Sequence, residues 1–190
     1  MKKLVILCAV VLAAFLSVVP IVGCQQAQET QPELIPSPPP QRPTIESRTY
    51  TNSEYNFSID YPEDWDVLED YMGMVFAFMG PLVLEETYYV NINLAAEQLP
   101  YEDMKLKDYG KAVELNTKRT STDYKKVDEY STTIGGQPAI VIVFTCTFEV
   151  EGTKFALKDS VAVFIKNNIG YTITYDVPEE FHDQYADCFD

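Results

Sequence analysis

Any chemistry in this chain would have to come from a short set of side chains. The one histidine, His182, stands beside Asp183 near the end of the sequence. A hydrolytic relay needs a base within hydrogen-bond reach of its nucleophile, and that base is usually histidine. On the helix expected there, His182 reads as an exposed surface residue. With one histidine and no CxxC pair, the usual zinc sites cannot be assembled. No glycine-rich phosphate loop appears, because Gly135-Gly136 joins two strand-like runs and opens no helix. No catalytic residue, metal site or cofactor is assigned, and the expectation is a protein that is not an enzyme.

Carboxylates are plentiful. Glu63, Asp64, Asp66, Glu69 and Asp70 form one cluster around Trp65, the sole tryptophan. Asp176, Glu179, Glu180, Asp183, Asp187 and Asp190 form a second run with no lysine or arginine among them. Oxygen-rich clusters can hold calcium, but neither follows the D-x-D-x-DG loop. General acid/base work by two carboxyl groups would need a cleft. The 13 tyrosines and 10 phenylalanines suit the core and edges of a β-rich domain. Tyr88 and Tyr89 must point to opposite faces of a strand, so one of them is free for a binding surface.

The elements that would position these residues follow from periodicity. Phe57, Ile59 and Tyr61 alternate with polar residues, and TNSEYN before them reads as a hairpin turn after a short first strand. Pro62 then opens a turn that delivers Trp65 onto the sheet edge while its acidic neighbours stay wet. Met74–Met79 fits a buried strand, and Tyr88, Val90, Ile92 and Leu94 alternate. Residues 101–118 change period: Leu106, Tyr109 and Val113 share one face of a helix. Strands resume at Lys126, with a hairpin signal at Gly135-Gly136 and Ile140, Ile142, Phe144, Cys146 and Phe148 on one face. Phe155–Ile165 and Tyr171–Val177 complete the sheet. Pro178, Glu179 and Glu180 suit the first turn of a last helix, with Phe181, Tyr185 and Cys188 or Phe189 as its apolar stripe. About eight antiparallel strands and two helices predict an α+β sandwich.

The ends of the chain bear on location. Lys2-Lys3 and the apolar Leu4–Leu16 are built like a secretory signal. Ile21-Val22-Gly23-Cys24 resembles the lipobox of bacterial lipoproteins, which implies cleavage before Cys24 and acylation of its thiol. Residues 1–23 are then the signal, residues 24–48 a lipidated, proline-rich tether, and residues 49–190 the folded domain. The alternative is Leu4–Val22 as an uncleaved anchor, close to the roughly 20 residues a spanning helix needs. A plain secretion signal is the other alternative; each reading puts the domain outside the cytoplasm, and the expected anchor is the cell membrane, with the outer membrane open in a cell that has two. In extended polyproline geometry, at about 3.1 Å per residue, the tether reaches roughly 70 Å. Loss of Lys2 and Lys3 with the signal takes the net charge from −15 to −17. That charge repels nucleic acid and anionic headgroups. Cys146 and Cys188 are left in an oxidising compartment, where one disulfide is arithmetically open and two free thiols are the default.

Three stretches carry a family resemblance: YTNSEYNFSIDYPEDWDV, IGGQPAIVIVFT, and YTITYDVPEEF before the last helix. Together they resemble the PsbP-like domain family, over essentially Tyr50–Asp190. The resemblance implies an α/β/α sandwich around an antiparallel sheet. It also implies a terminal helix longer than this chain has after Phe181. Basic docking surfaces of the plant photosystem protein have no counterpart in an acidic chain, so photosystem binding is not implied. The function expected is a membrane-anchored accessory or assembly module with a protein partner. The alternative is a small-ligand or calcium-binding lipoprotein.

Overall fold

The computed structural model describes residues 46–84, 87–150 and 152–189. The signal segment, Cys24 and the tether up to residue 45 lie outside the described residues, while Ser47 and Arg48, expected in the tether, open the first strand. Among the described residues no helix is long and apolar enough to cross a membrane.

The described residues form strands β1 (Ser47–Asn52), β2 (Phe57–Pro62), β3 (Asp66–Glu69), β4 (Phe76–Val83) and β5 (Tyr88–Gln98), then helix α1 (Leu106–Thr120). Strands β6 (Thr122–Ile134), β7 (Gln137–Val150), β8 (Thr153–Lys166) and β9 (Ile169–Asp176) follow. The strand beyond the expected eight is β3, whose four residues are too few to display an alternation. The last helix is also shorter than its apolar stripe implied. It is a 3-10 turn (Glu179–Phe181), a four-residue helix α2 (His182–Tyr185) and a second 3-10 turn (Ala186–Cys188). No side chain caps any of these pieces, and so short a segment cannot offset the cost of nucleation by itself.

Seven strands make one antiparallel sheet in the order β3-β4-β5-β9-β8-β7-β6, while β1 and β2 pair only with each other. The sheet buries both faces. On one, Phe76, Phe78, Val90, Ile92, Leu94, Tyr171 and Tyr175 pack under the β1–β2 hairpin and the C-terminal segment. Tyr50 of the hairpin leans on Phe76 and Phe78 at ring separations of 5.2 and 5.8 Å. Phe181, Tyr185, Cys188 and Phe189 pack against the same cluster, as the predicted stripe requires. On the other face, Ile142, Phe144, Cys146, Leu157, Val161 and Val163 meet Tyr109, Leu106 and Val113 of α1. The first cluster draws its buried sheet residues from β4, β5 and β9 and the second from β7 and β8.

Cys146 therefore belongs to the α1 face and Cys188 to the hairpin face, with the sheet between them. Both thiols are free, and the bridge that cysteine arithmetic allowed is not formed.

Candidate functional site

Helix α1 covers only part of its face. Tyr109 docks where Gly170 leaves room: a Cβ there would stand 2.5 Å from the tyrosine ring. The Tyr109 hydroxyl shares a 2.9 Å hydrogen bond with Thr172 Oγ1. Beyond that contact β9 and β5 turn polar, with Thr172, Thr174 and Asp176 beside Asn91 and Asn93. A cleft of about 710 Å³ runs between helix and sheet.

At its floor two carboxyl groups meet. Asp159 of β8 and Asp176 of β9 hydrogen-bond one another, which requires a proton on one of them. Asp159 is 7% exposed. Burial, then the Asp176 charge, raises its pKa well above the usual carboxylate range. Asp176 is raised too, by burial, but three hydrogen bonds favour its ionised form. Tyr88 O–H donates to its Oδ1 at 2.6 Å and Asn91 Nδ2 to its Oδ2 at 3.3 Å, and Asp159 supplies the third. The proton thus rests on Asp159 and the charge on Asp176. The backbone N–H of Val177 donates to Asp159 Oδ1 at 3.4 Å. Cys146, close by, is pushed up to about 11, mainly by burial, so it is a thiol and no ready nucleophile. The pair can hold a proton and pin β5, β8 and β9 where the C-terminal segment departs. Its capacity is spent on internal partners.

Sequence patterning missed this pair, although a signal was present. Asp159 falls on the same side of its strand as Leu157, Val161 and Val163, a charged residue at a core position. Its partner could not be read without the β8–β9 register.

The structure also brings Ser160, His182 and Asp183 together in the order of a hydrolytic relay. Ser160 Oγ lies 3.5 Å from His182 Nε2, and His182 Nδ1 lies 2.9 Å from Asp183 Oδ1. His182 is therefore not the exposed residue that the sequence implied, since α2 folds its ring against Tyr175. Ser160 is only 6% exposed, so its hydroxyl is buried rather than presented to solvent. Asp183 is 91% exposed and shared with Lys158 Nζ at 3.2 Å. We read the three as a surface ion-pair cluster closing over a buried serine.

On the opposite face a second recess of about 690 Å³ opens between the hairpin, the C-terminal segment and the edge strand β6. Ile59, Tyr61, Phe78, Val141, Ala162 and Ile173 give it an apolar floor, and its charged lining residues are Asp60 and Asp187. Burial chiefly raises Tyr185 and Cys188, and the Asp64 charge adds to the rise in both, so the Trp65 corner and the C-terminal run share one acidic flank. Glu63, Asp64 and Asp66 are exposed around a buried Trp65, as expected of a fold-marking corner. Among the described residues no three His, Cys, Asp or Glu side chains gather as a metal centre. Tyr88 and Tyr89 point apart: Tyr88 joins the carboxyl pair while Tyr89 remains exposed.

No protein-family model matches the chain, and no curated protein matches its sequence. Solved structures do. The solution structure of cyanobacterial PsbP (CyanoP) from Synechocystis sp. PCC 6803 aligns with a TM-score of 0.55 at 14% identity, over 77% of this chain and 89% of that one. PA94 of Pseudomonas aeruginosa, a protein of unknown function, gives 0.49 at 12% identity, over 75% and 90%. LpqN of Mycobacterium tuberculosis, described as involved in cell envelope biogenesis, gives 0.46 at 11% identity, over 76% and 86%.

Proposed function

We propose that this chain, which has the PsbP-like fold, works as a lipid-tethered extracytoplasmic module that binds a protein partner and does no chemistry of its own. The observation that carries this reading is the apolar recess on the hairpin face. It is open to solvent, it is large enough for several side chains, and its floor is apolar, with Asp60 and Asp187 as its charged lining residues. The polar groups that could do chemistry are engaged elsewhere, in the Asp159–Asp176 pair and in the cluster over Ser160. Attachment rests on Cys24 and the basic, apolar and small residues before it. Two or more acyl chains give stable anchoring where one would be marginal.

Two measurements test the reading. Cys24→Ser should move the protein from the membrane to the soluble extracytoplasmic fraction, and continued retention would point to Leu4–Val22 as an uncleaved anchor. Photo-crosslinkers placed singly around the domain in native membranes should capture one recurrent partner. Adducts that only sample neighbours at random would end the binding-module reading.

A further inference from the structure

Strand β6 is an edge of the large sheet, and among the described residues no strand pairs with its outer side. Proteins commonly blunt such edges with bulges and charges. The first half of β6 is blunted in this way. Register breaks fall between Thr122 and Lys125 and between Lys126 and Asp128, and Lys125, Lys126 and Asp128 lie among them. The second half is not. From Asp128 to Ile134 every residue pairs one-to-one with β7, and Tyr130-Ser131-Thr132-Thr133-Ile134 has neither charge nor proline. These residues have high strand propensity.

That regular half borders the apolar recess. Tyr130, Thr132 and Ile134 line one wall, and Tyr130 is 45% exposed. The backbone fixes which groups face outward. Gly135 and Gly136 have φ of +54° and +77°, a two-residue turn of the primed type, so Ile134 and Gln137 form the first hydrogen-bonded pair. Pairs alternate from there. Tyr130, Thr132 and Ile134 spend their amides on β7, while Glu129, Ser131 and Thr133 direct N–H and C=O outward. Pro138 fits this register, because it pairs with Thr133 at a position that needs no cross-strand N–H.

We propose that a basic, extended segment of a partner protein adds as a strand to β6 at Glu129–Thr133 and sets its apolar side chains into the adjoining recess. This rests on the binding-module reading and names its surface and its partner's chemistry. Main-chain hydrogen bonds would supply affinity and alternate side chains specificity. Charge selects the occupant. Both charged residues lining the recess are acidic, and the chain as a whole carries −15. Lysine or arginine at the outward positions of the added strand complements that field. An anionic membrane does not. The tether is a poor occupant as well, because Glu29, Glu33 and Glu46 outnumber Arg42 and Arg48 there.

The test uses the purified full chain in detergent and two fluorescein-labelled twelve-residue peptides, one alternating lysine with valine and one alternating glutamate with valine. The lysine peptide should bind at least about tenfold more tightly, with affinity falling as salt rises. Hydrogen exchange should then slow at Glu129, Ser131 and Thr133, while Tyr130, Thr132 and Ile134 are protected with or without peptide. Ser131→Pro removes one outward N–H without a β6–β7 bond and should weaken binding about tenfold. Asp60→Lys with Asp187→Lys should weaken it and flatten the salt dependence, with the melting temperature reporting that each variant folds.

Equal affinity for the two peptides, or protection confined to another surface, overturns the proposal. So does protection of the three outward amides without peptide, whether from self-association or from the tether, which deletion of residues 25–44 would reveal. A partner crosslinked through some other face would leave the binding-module reading standing and remove this one.

Discussion

Asp159→Asn should stabilise the domain at neutral pH, by an amount that grows with pH above about 4, the ordinary carboxylate value. Asp159 and Asp176 both have raised pKa values in the folded protein, through burial first. The folded state therefore keeps protons that the unfolded chain has lost. The stability these groups contribute is fully present below the unfolded value and is lost as pH rises through the folded one. One such proton changes stability by about 1.4 kcal/mol per pH unit within that window. Asparagine at 159 can still accept from the Val177 N–H and can donate to Asp176 without a titratable proton. Asp176→Asn should do the opposite, because Tyr88 and Asn91 donate to both of its oxygens and an amide N–H would face a donor. An unsatisfied buried donor costs about 1–3 kcal/mol. Urea unfolding of both variants from pH 4 to pH 8 checks the pair. Similar curves for the two would mean that the proton is not held on Asp159. Glu114 and Asp183 act with the other sign. Both are lowered, Glu114 chiefly by its hydrogen bond from Lys118 and Asp183 chiefly by that from His182, so their contribution is lost as pH falls.

Trp65→Ala should cost about 3–5 kcal/mol, the range for removing a large buried aromatic. Trp65 is 5% exposed and lies flat on Gly80, where a Cβ would stand 2.6 Å from ring atom Cε2. Its own N–H closes a turn onto the Pro62 carbonyl at 3.1 Å. Gly80→Ala should therefore also destabilise, because neither the β4 backbone nor the indole can give way cheaply. In Gly80→Ala with Trp65→Phe the smaller ring should recover part of the loss. Thermal unfolding of the single and double variants measures the coupling. Additive losses would show that ring and glycine do not interact.

Alternation exposed much of the fold in advance. Phe57, Ile59 and Tyr61 named the face of β2, and Ile140 to Cys146 named the face of β7 that α1 covers, because period two survives wherever one face is buried. β3 and the fragmented C-terminal helix escaped, the first for want of length and the second for want of caps. The sites were less accessible. The Asp159–Asp176 pair depends on the register of two strands. The recess joins Ile59 to Tyr130, far apart in sequence and brought together only when the hairpin lies over the sheet. His182 looked exposed because its own segment is polar, and the ring that shields it belongs to Tyr175 on another element.

The separate two-stranded sheet has a mechanical consequence. Ser47 and Pro62 are cross-strand partners, so the hairpin's entry and exit lie side by side. A pull transmitted through residue 46 loads this ladder at its open end and breaks its bonds one after another, whereas the seven-stranded sheet would share the same force across many bonds at once. A tethered domain held from its N-terminus should thus yield first at β1, as a small low-force step in single-molecule pulling. Such a step would bare Phe76 and Phe78 while the long sheet stayed intact, so the hairpin would act as a strain-relief element ahead of the main sheet.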